Sequence, residues 1–202
     1  MRRPAPPPSP ADGGRAPGTG VRARLRFAWV AAALLAAVAS WAAGPYVKGL
    51  AWRFQESNIV VSFGVGEALD RPDVKETIES TRAVSFTFTV EVLKHRTVWK
   101  SKVLGRKVVV HTVKFDTLTR QYTLETTVDG ERTDQRAVDS WDEMARYMEN
   151  VSDLTVCSVA DIEPGGATYT VRARVHVQSE FVLWIIPWDV ETPWVSQPLA
   201  TP

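Results

Sequence analysis

The sequence predicts an α+β fold: mainly antiparallel β-sheet, open or folded into a sandwich, with two short covering helices and an N-terminal hydrophobic helix. Three observations carry this expectation. Several stretches after residue 57 alternate apolar and polar side chains with a period of two, which marks strands with one packed and one wet face. Two short segments instead repeat their apolar residues at helical spacing. At the start, an arginine-rich leader runs directly into the unbroken apolar stretch Phe27–Ala43.

That first segment sets the topology. Residues 1–26 are rich in proline and glycine and carry Arg15, Arg22, Arg24 and Arg26, a composition that predicts a disordered cytoplasmic leader. As a helix, residues 27–43 would rise roughly 25 Å. A secretory apolar region runs to about 15 residues and a spanning helix needs about 20, so the segment falls between the two. Ala37-Val38-Ala39 offers a small-x-small cleavage site, while Trp41 and Tyr46 stand where interfacial aromatics would hold an uncleaved helix. We take it as a retained signal anchor, with cleavage and a soluble periplasmic product as the alternative. Either way the arginines stay inside and the C-terminal bulk is carried out. Arg2-Arg3 lacks the flanking residues of a twin-arginine signal, and no cysteine near the apolar run could take a lipid anchor.

Removing the leader changes the charge. Six arginines and one aspartate go with residues 1–43, so 24 basic and 23 acidic side chains become 18 and 22, a formal −4. A duplex nucleic-acid binder needs a cationic footprint, so nucleic acid is excluded as a partner. Residues 44–57 read as a linker, 58–195 as the extracytoplasmic domain and 196–202 as a tail.

Within that domain Asn58–Val65 alternates loosely. Pro72 suits the first turn of a helix over Pro72–Ser80, where Val74 and Ile78 share a face. Ala83–Leu93 sets Val84, Phe86, Phe88, Val90 and Val92 against Ser85, Thr87, Thr89 and Glu91. Arg106–Thr117 aligns Val109, Val113 and Phe115, and Arg120–Thr127 follows. Asp129-Gly130 predicts a hairpin between Gln121–Val128 and Glu131–Val138. Ser140 and Glu143 have the spacing of a capping box, opening a helix whose Trp141, Met144, Ala145 and Met148 form a core-facing stripe. Pro164-Gly165-Gly166 turns the strand Thr155–Ile162 towards Ala167–Val177, the clearest alternation in the chain.

Family resemblance rests on strings carried by these elements. Val113-Lys114-Phe115-Asp116-Thr117-Leu118-Thr119-Arg120-Gln121-Tyr122 resembles the central motif of a bacterial envelope family, the domain of unknown function 4390. Ile162-Glu163-Pro164-Gly165-Gly166 with Tyr169–Arg174, and Trp188-Asp189-Val190-Glu191-Thr192-Pro193-Trp194, resemble its second and C-terminal blocks. The likeness runs from about Asn58 to Val195. It implies an export or anchor segment and supplies no catalytic residues. Because many members are encoded beside a membrane sensor kinase, it suggests an envelope or inner-membrane partner such as a sensor histidine kinase.

No residue pattern selects a catalytic site. There is no Gly-x-Ser-x-Gly elbow and no phosphate-cradling glycine loop, and nothing picks one acid pair out of many. His95, His111 and His176 lie on separate strands without ligand spacing, so no metal and no cofactor is expected. Cys157, the only cysteine, sits in an apolar run and reads as a small hydrophobe. The candidate interaction surfaces are Arg120 with Tyr122, which read first as a turn capped by Asp116 with Arg120 paired to a carboxylate; the stripe Arg172, Arg174 and His176; and Trp184, Trp188 and Trp194. Phe181–Trp188 reads first as a buried final strand and second as an exposed aromatic patch. The expected function is a non-catalytic envelope protein working by protein contact, the alternatives being an apolar-ligand carrier and a hydrolase.

Overall fold

A computed structural model describes residues 44–96, 100–163, 167–179 and 189–200. The leader, the hydrophobic segment 27–43, the turn at 164–166 and the run 180–188 lie outside the described residues. Among the described residues no helix is long and apolar enough to cross a membrane.

The element order is β1 (Tyr46–Gln55), β2 (Asn58–Gly66), α1 (Pro72–Glu79), β3 (Val84–Lys94), β4 (Lys102–Asp116), β5 (Gln121–Val128), β6 (Glu131–Val138), α2 (Trp141–Glu149), β7 (Asn150–Ser158), a 3-10 turn (Val159–Asp161), β8 (Tyr169–Ser179), β9 (Asp189–Glu191) and β10 (Val195–Leu199). Every strand pair is antiparallel. The α+β class, its antiparallel character and both helices follow the expectation. The strands form two sheets, β1-β2-β7 and β10-β8-β3-β4-β5-β6, with β9 added to β8. Phe63 of β2 meets Phe88 of β3 edge to face, with ring centroids 5.7 Å apart. The two sheets therefore share one core, the sandwich form of the expected alternatives.

Alternation explains the core. On β3, Val84, Phe86, Phe88, Val90 and Val92 are fully buried, and on β8 Val171, Ala173 and Val175 are too. The other face of β3 is drier than its sequence implies, because Thr89 and Glu91 are also buried. Long neighbouring arginines lie over it and bring their stems with them. Where β4 passes β7 the two backbones approach tightly. A methyl group on Gly105 would lie 2.7 Å from Cys157 Cβ and 2.7 Å from the Val156 carbonyl oxygen, so this crossing requires glycine.

Both helices are held by buried stripes, not by side-chain caps. Val74 and Ile78 of α1 and Met144 and Met148 of α2 are fully buried. Ser140 stands at the N-cap of α2, yet its side chain accepts no capping hydrogen bond. The expected Ser140–Glu143 box is absent, and Glu143 lines a surface hollow with Arg136 and Arg146 instead. A reciprocal box does form at Ser158 and Asp161, around the 3-10 turn.

Several boundaries differ from the sequence-based ones. Residues 46–55, expected in a linker, form β1, which pairs with β2 along its length. Gly49 adopts φ 62° within a register shift between Lys48 and Ala51. The bulge moves the inward positions from Val47 to Leu50, so a period of two does not survive along the strand. At the other end β10 runs to the buried Leu199, past the expected domain end at 195. The strand expected over 155–162 starts at Asn150 and stops at Ser158.

On the outer edge of the larger sheet, β6 is exposed at every position but Val138. It carries Glu131, Arg132, Asp134 and Arg136 in alternating sign.

Candidate functional site

The hairpin joining β4 and β5 is rigid for a local reason. Asp116 Oδ1 accepts the backbone N–H groups of Leu118 at 2.8 Å and Thr119 at 3.2 Å, the expected capped turn. Arg120 closes it in the left-handed region, at φ 58°. Among the described residues no carboxylate pairs with Arg120, contrary to expectation, because the turn points it into solvent. Tyr122 does not join it at an edge. Its ring packs 4.9 Å from Phe115 and 6.0 Å from Trp141, and burial pushes its hydroxyl pKa up. The turn instead projects Leu118, which is 94 % exposed, beside a hollow of about 390 Å³ lined by Thr81, Lys114 and Phe115.

The arginine stripe of β8 is closed. Arg172 donates through Nε and Nη2 to Glu91 Oε2 at 2.8 and 2.6 Å. Arg174 pairs with Glu191 of β9 at 2.5 Å, and His176 contacts Asp189. Trp194 covers the two guanidinium groups, 4.3 and 4.6 Å from its ring centroid. Arg172, Arg174 and Trp194 thus form one assembly whose charges answer each other. Trp184 and Trp188 lie outside the described residues.

A third region emerges only in three dimensions. A cleft of about 360 Å³ opens between β4, β5 and β6 on one side and α2 and β7 on the other. His111 of β4 lies in its floor, 6 % exposed, with its ring 5.0 Å from Phe88 and 5.0 Å from Tyr147. Among the described residues its Nδ1 meets no hydrogen-bond partner of good geometry, while the backbone carbonyls of Tyr147 and Met148 lie near the ring. A buried polar atom left so costs about 1–3 kcal/mol, and native folds seldom carry that cost without a use. Burial lowers the His111 pKa to about 4, so the imidazole is neutral at pH 7. Above it the Tyr147 hydroxyl contacts Thr126 and donates to Asp134 at 3.4 Å, while burial raises its pKa. Arg136 lies flat on the Tyr147 ring at 4.3 Å and pairs with Asp134 at 3.4 Å. Arg146 donates only to the Asp142 carbonyl, at 3.2 Å, and among the described residues no carboxylate pairs with it.

Of these groups only His111 left a trace in the sequence, as a histidine in an otherwise apolar line of Val109, Val113 and Phe115. The remaining histidines are engaged elsewhere: His95 bonds to Thr170 at 2.6 Å and to Ser101 at 3.1 Å. Among the described residues no group of three His, Cys, Asp or Glu side chains could hold a metal ion. Cys157 is half-buried, and desolvation with the nearby Asp161 pushes its thiol up to about 11, far from a reactive thiolate.

Neither a curated protein nor a solved structure matches the chain. Residues 46–182, more than half of its length, match the family model described as Domain of unknown function (DUF4390), and the chain belongs to that family.

Proposed function

We propose that this protein is a non-catalytic envelope protein that works by contact, with the β4–β5 hairpin tip as its docking element. Leu118 carries this reading. An apolar side chain 94 % exposed on a turn fixed by Asp116 is already ordered for binding, so docking it costs little conformational entropy. An exposed apolar side chain of this kind gains by entering a partner's pocket and leaving water. The hollow beside it, edged by Lys114 and Phe115, offers a place for a partner's side chain in return.

The arginine-then-apolar leader supports delivery across the cytoplasmic membrane and retention there by residues 27–43. The domain then stands in the periplasm, within reach of an inner-membrane protein. A sensor histidine kinase is the partner class that the family resemblance suggests. A photoreactive amino acid at position 118, activated in intact cells, is expected to trap an inner-membrane kinase, with a control at the opposite end of β5 silent. Equal trapping from both positions, or adducts with lipid alone, would refute the reading.

A further inference from the structure

We propose that the cations at the end of β3 and the start of β4, Lys94, Arg96, Lys100 and Lys102, form a docking surface for an acidic segment of a partner protein. Charge is gathered there against the trend of the chain. Residues 92–115 hold seven lysines and arginines and no acid. Taking those seven from the 18 basic and 22 acidic side chains of residues 44–202 leaves a formal −11. Some of the seven are answered within the chain: Lys94 pairs with Glu163, Arg106 with Glu91 at 3.8 Å and Lys107 with Asp129 at 2.7 Å. Arg96, Lys100 and Lys102 are exposed, and among the described residues no carboxylate pairs with them. Opposite charge on a partner would speed its encounter with such a surface and set its orientation.

The register makes this surplus costly. Lys94 lies directly opposite Lys102 in the β3–β4 pair, and like charges so placed repel. Glu163 is the carboxylate that answers them. The hydrogen bond from Lys94, then the charges of Lys94, Lys102 and Arg96, hold its pKa below the usual carboxylate value. Its backbone is fixed by Tyr169, whose hydroxyl accepts the Glu163 N–H at 3.0 Å and donates to the Glu163 carbonyl at 3.3 Å. The seat beside Lys94 is thus taken, and the unanswered cations stand around it. A compact anion such as phosphate would have to displace Glu163. A chain bearing several carboxylates meets the outer cations without doing so, and lysine serves such contacts as a point charge on a flexible stem. The chain enters the domain elsewhere: Tyr46 lies roughly 30 Å along β1 from Gln55. The turn after Gln55 is at the cluster's end, where the Ser57 carbonyl accepts the N–H of Val159, four residues before Glu163, at 2.8 Å. The cations therefore stand away from the point of entry, which favours a protein segment over lipid headgroups as the source of the anions.

The test uses the full-length chain in phosphatidylcholine nanodiscs, with a fluorescein-labelled peptide of alternating glutamate and serine as the probe. Fluorescence anisotropy at low ionic strength is expected to show saturable binding, and a peptide with glutamine in place of glutamate is expected not to bind. Arg96→Gln with Lys102→Gln is expected to weaken the acidic peptide about tenfold, whereas Lys75→Gln with Arg82→Gln, the same loss of charge beside α1, leaves it within about twofold. A urea midpoint no lower than that of the native chain in the first double variant shows that the loss is one of binding. No saturable binding of the acidic peptide, equal weakening by the two double variants, or displacement of the peptide by phosphatidylglycerol vesicles would each overturn the assignment, the last by giving the surface to lipid. Failure here leaves the hairpin-tip reading standing, because Leu118 lies just beyond Asp116, at the opposite end of β4 from Lys102.

Discussion

Two polar regions of this domain look alike in composition and opposite in accounting. Around β8, Arg172, Arg174 and His176 each meet a carboxylate, and Trp194 closes over the two arginines. Among the described residues around β4, His111 keeps a buried nitrogen without a well-placed partner, and Arg146 finds no carboxylate. The first set is complete within the chain, so its residues hold the fold together. The second is incomplete among the described residues, so its residues carry a cost that the first set does not. Arginine and histidine therefore say little about function until their partners are counted.

The contrast can be broken most forcefully at Glu91. Arg172→Ala would leave a buried carboxylate with, among the described residues, only Arg106 as a cation, 3.8 Å away. Breaking a buried pair from one side costs about 3–5 kcal/mol, and the partial exposure of Arg172 places this case at the lower end. Urea unfolding should show the loss, and the double change Glu91→Leu with Arg172→Leu should recover most of it. A full loss that persists in the double variant would mean that packing, not charge pairing, is at stake.

The second prediction uses the pKa of about 4 at His111. The unfolded chain takes up that proton near pH 6.5 and the folded chain only near pH 4, so unfolding is favoured progressively as pH falls through this window. The shift corresponds to roughly 3 kcal/mol by pH 4, and nothing from this residue above pH 7. Desolvation is the main cause; Arg136 lowers the value further, while Asp134 and the Met148 and Tyr147 carbonyls oppose the fall. Comparing His111→Phe with the native chain from pH 7.5 to 4.5 isolates the effect from the carboxylates. A constant stability difference would show that His111 does not titrate this way.

A third test concerns the crossing on which both regions depend. Gly105→Ala forces a methyl into contacts of 2.7 Å with β7, and overpacking of this kind costs about 1–3 kcal/mol. It should also open Cys157 to thiol reagents at pH 8, where the native thiol is expected to react slowly.

The smallest effect is the most telling. At pH 7.5, His111→Phe removes a desolvated nitrogen and keeps an aromatic ring between Phe88 and Tyr147. It should therefore stabilise the domain, by about 1 kcal/mol. An uncompensated buried nitrogen raises stability when it is removed, whereas losing one member of a structural pair lowers it. Destabilisation by this change would move His111 into the same class as Arg172.

The sequence disclosed the parts of the fold that are written locally. The β5–β6 hairpin follows from Asp129-Gly130 and from the alternation of β5, and its observed bounds coincide with the expected ones. The strand β8 is legible because five inward positions in a row are apolar or aromatic. The strand β1 was hidden because one left-handed glycine changes the phase of its pattern. The cleft was hidden for a different reason: His111, Tyr147 and Leu154 belong to β4, α2 and β7, and nothing in their spacing says that these elements meet. The pairing of Arg172 with Glu91 likewise needed the β3–β8 register, which places the two directly opposite.

The outermost strand of the larger sheet has a consequence for the company this chain keeps. An uncovered row of backbone donors and acceptors is a template for another strand, and sheets left so tend to grow by adding copies of themselves. Here the row is guarded by Glu131, Arg132, Asp134 and Arg136, whose solvation would have to be stripped for a neighbour to dock. A charged fringe of this kind opposes the zipping of separate molecules into fibres.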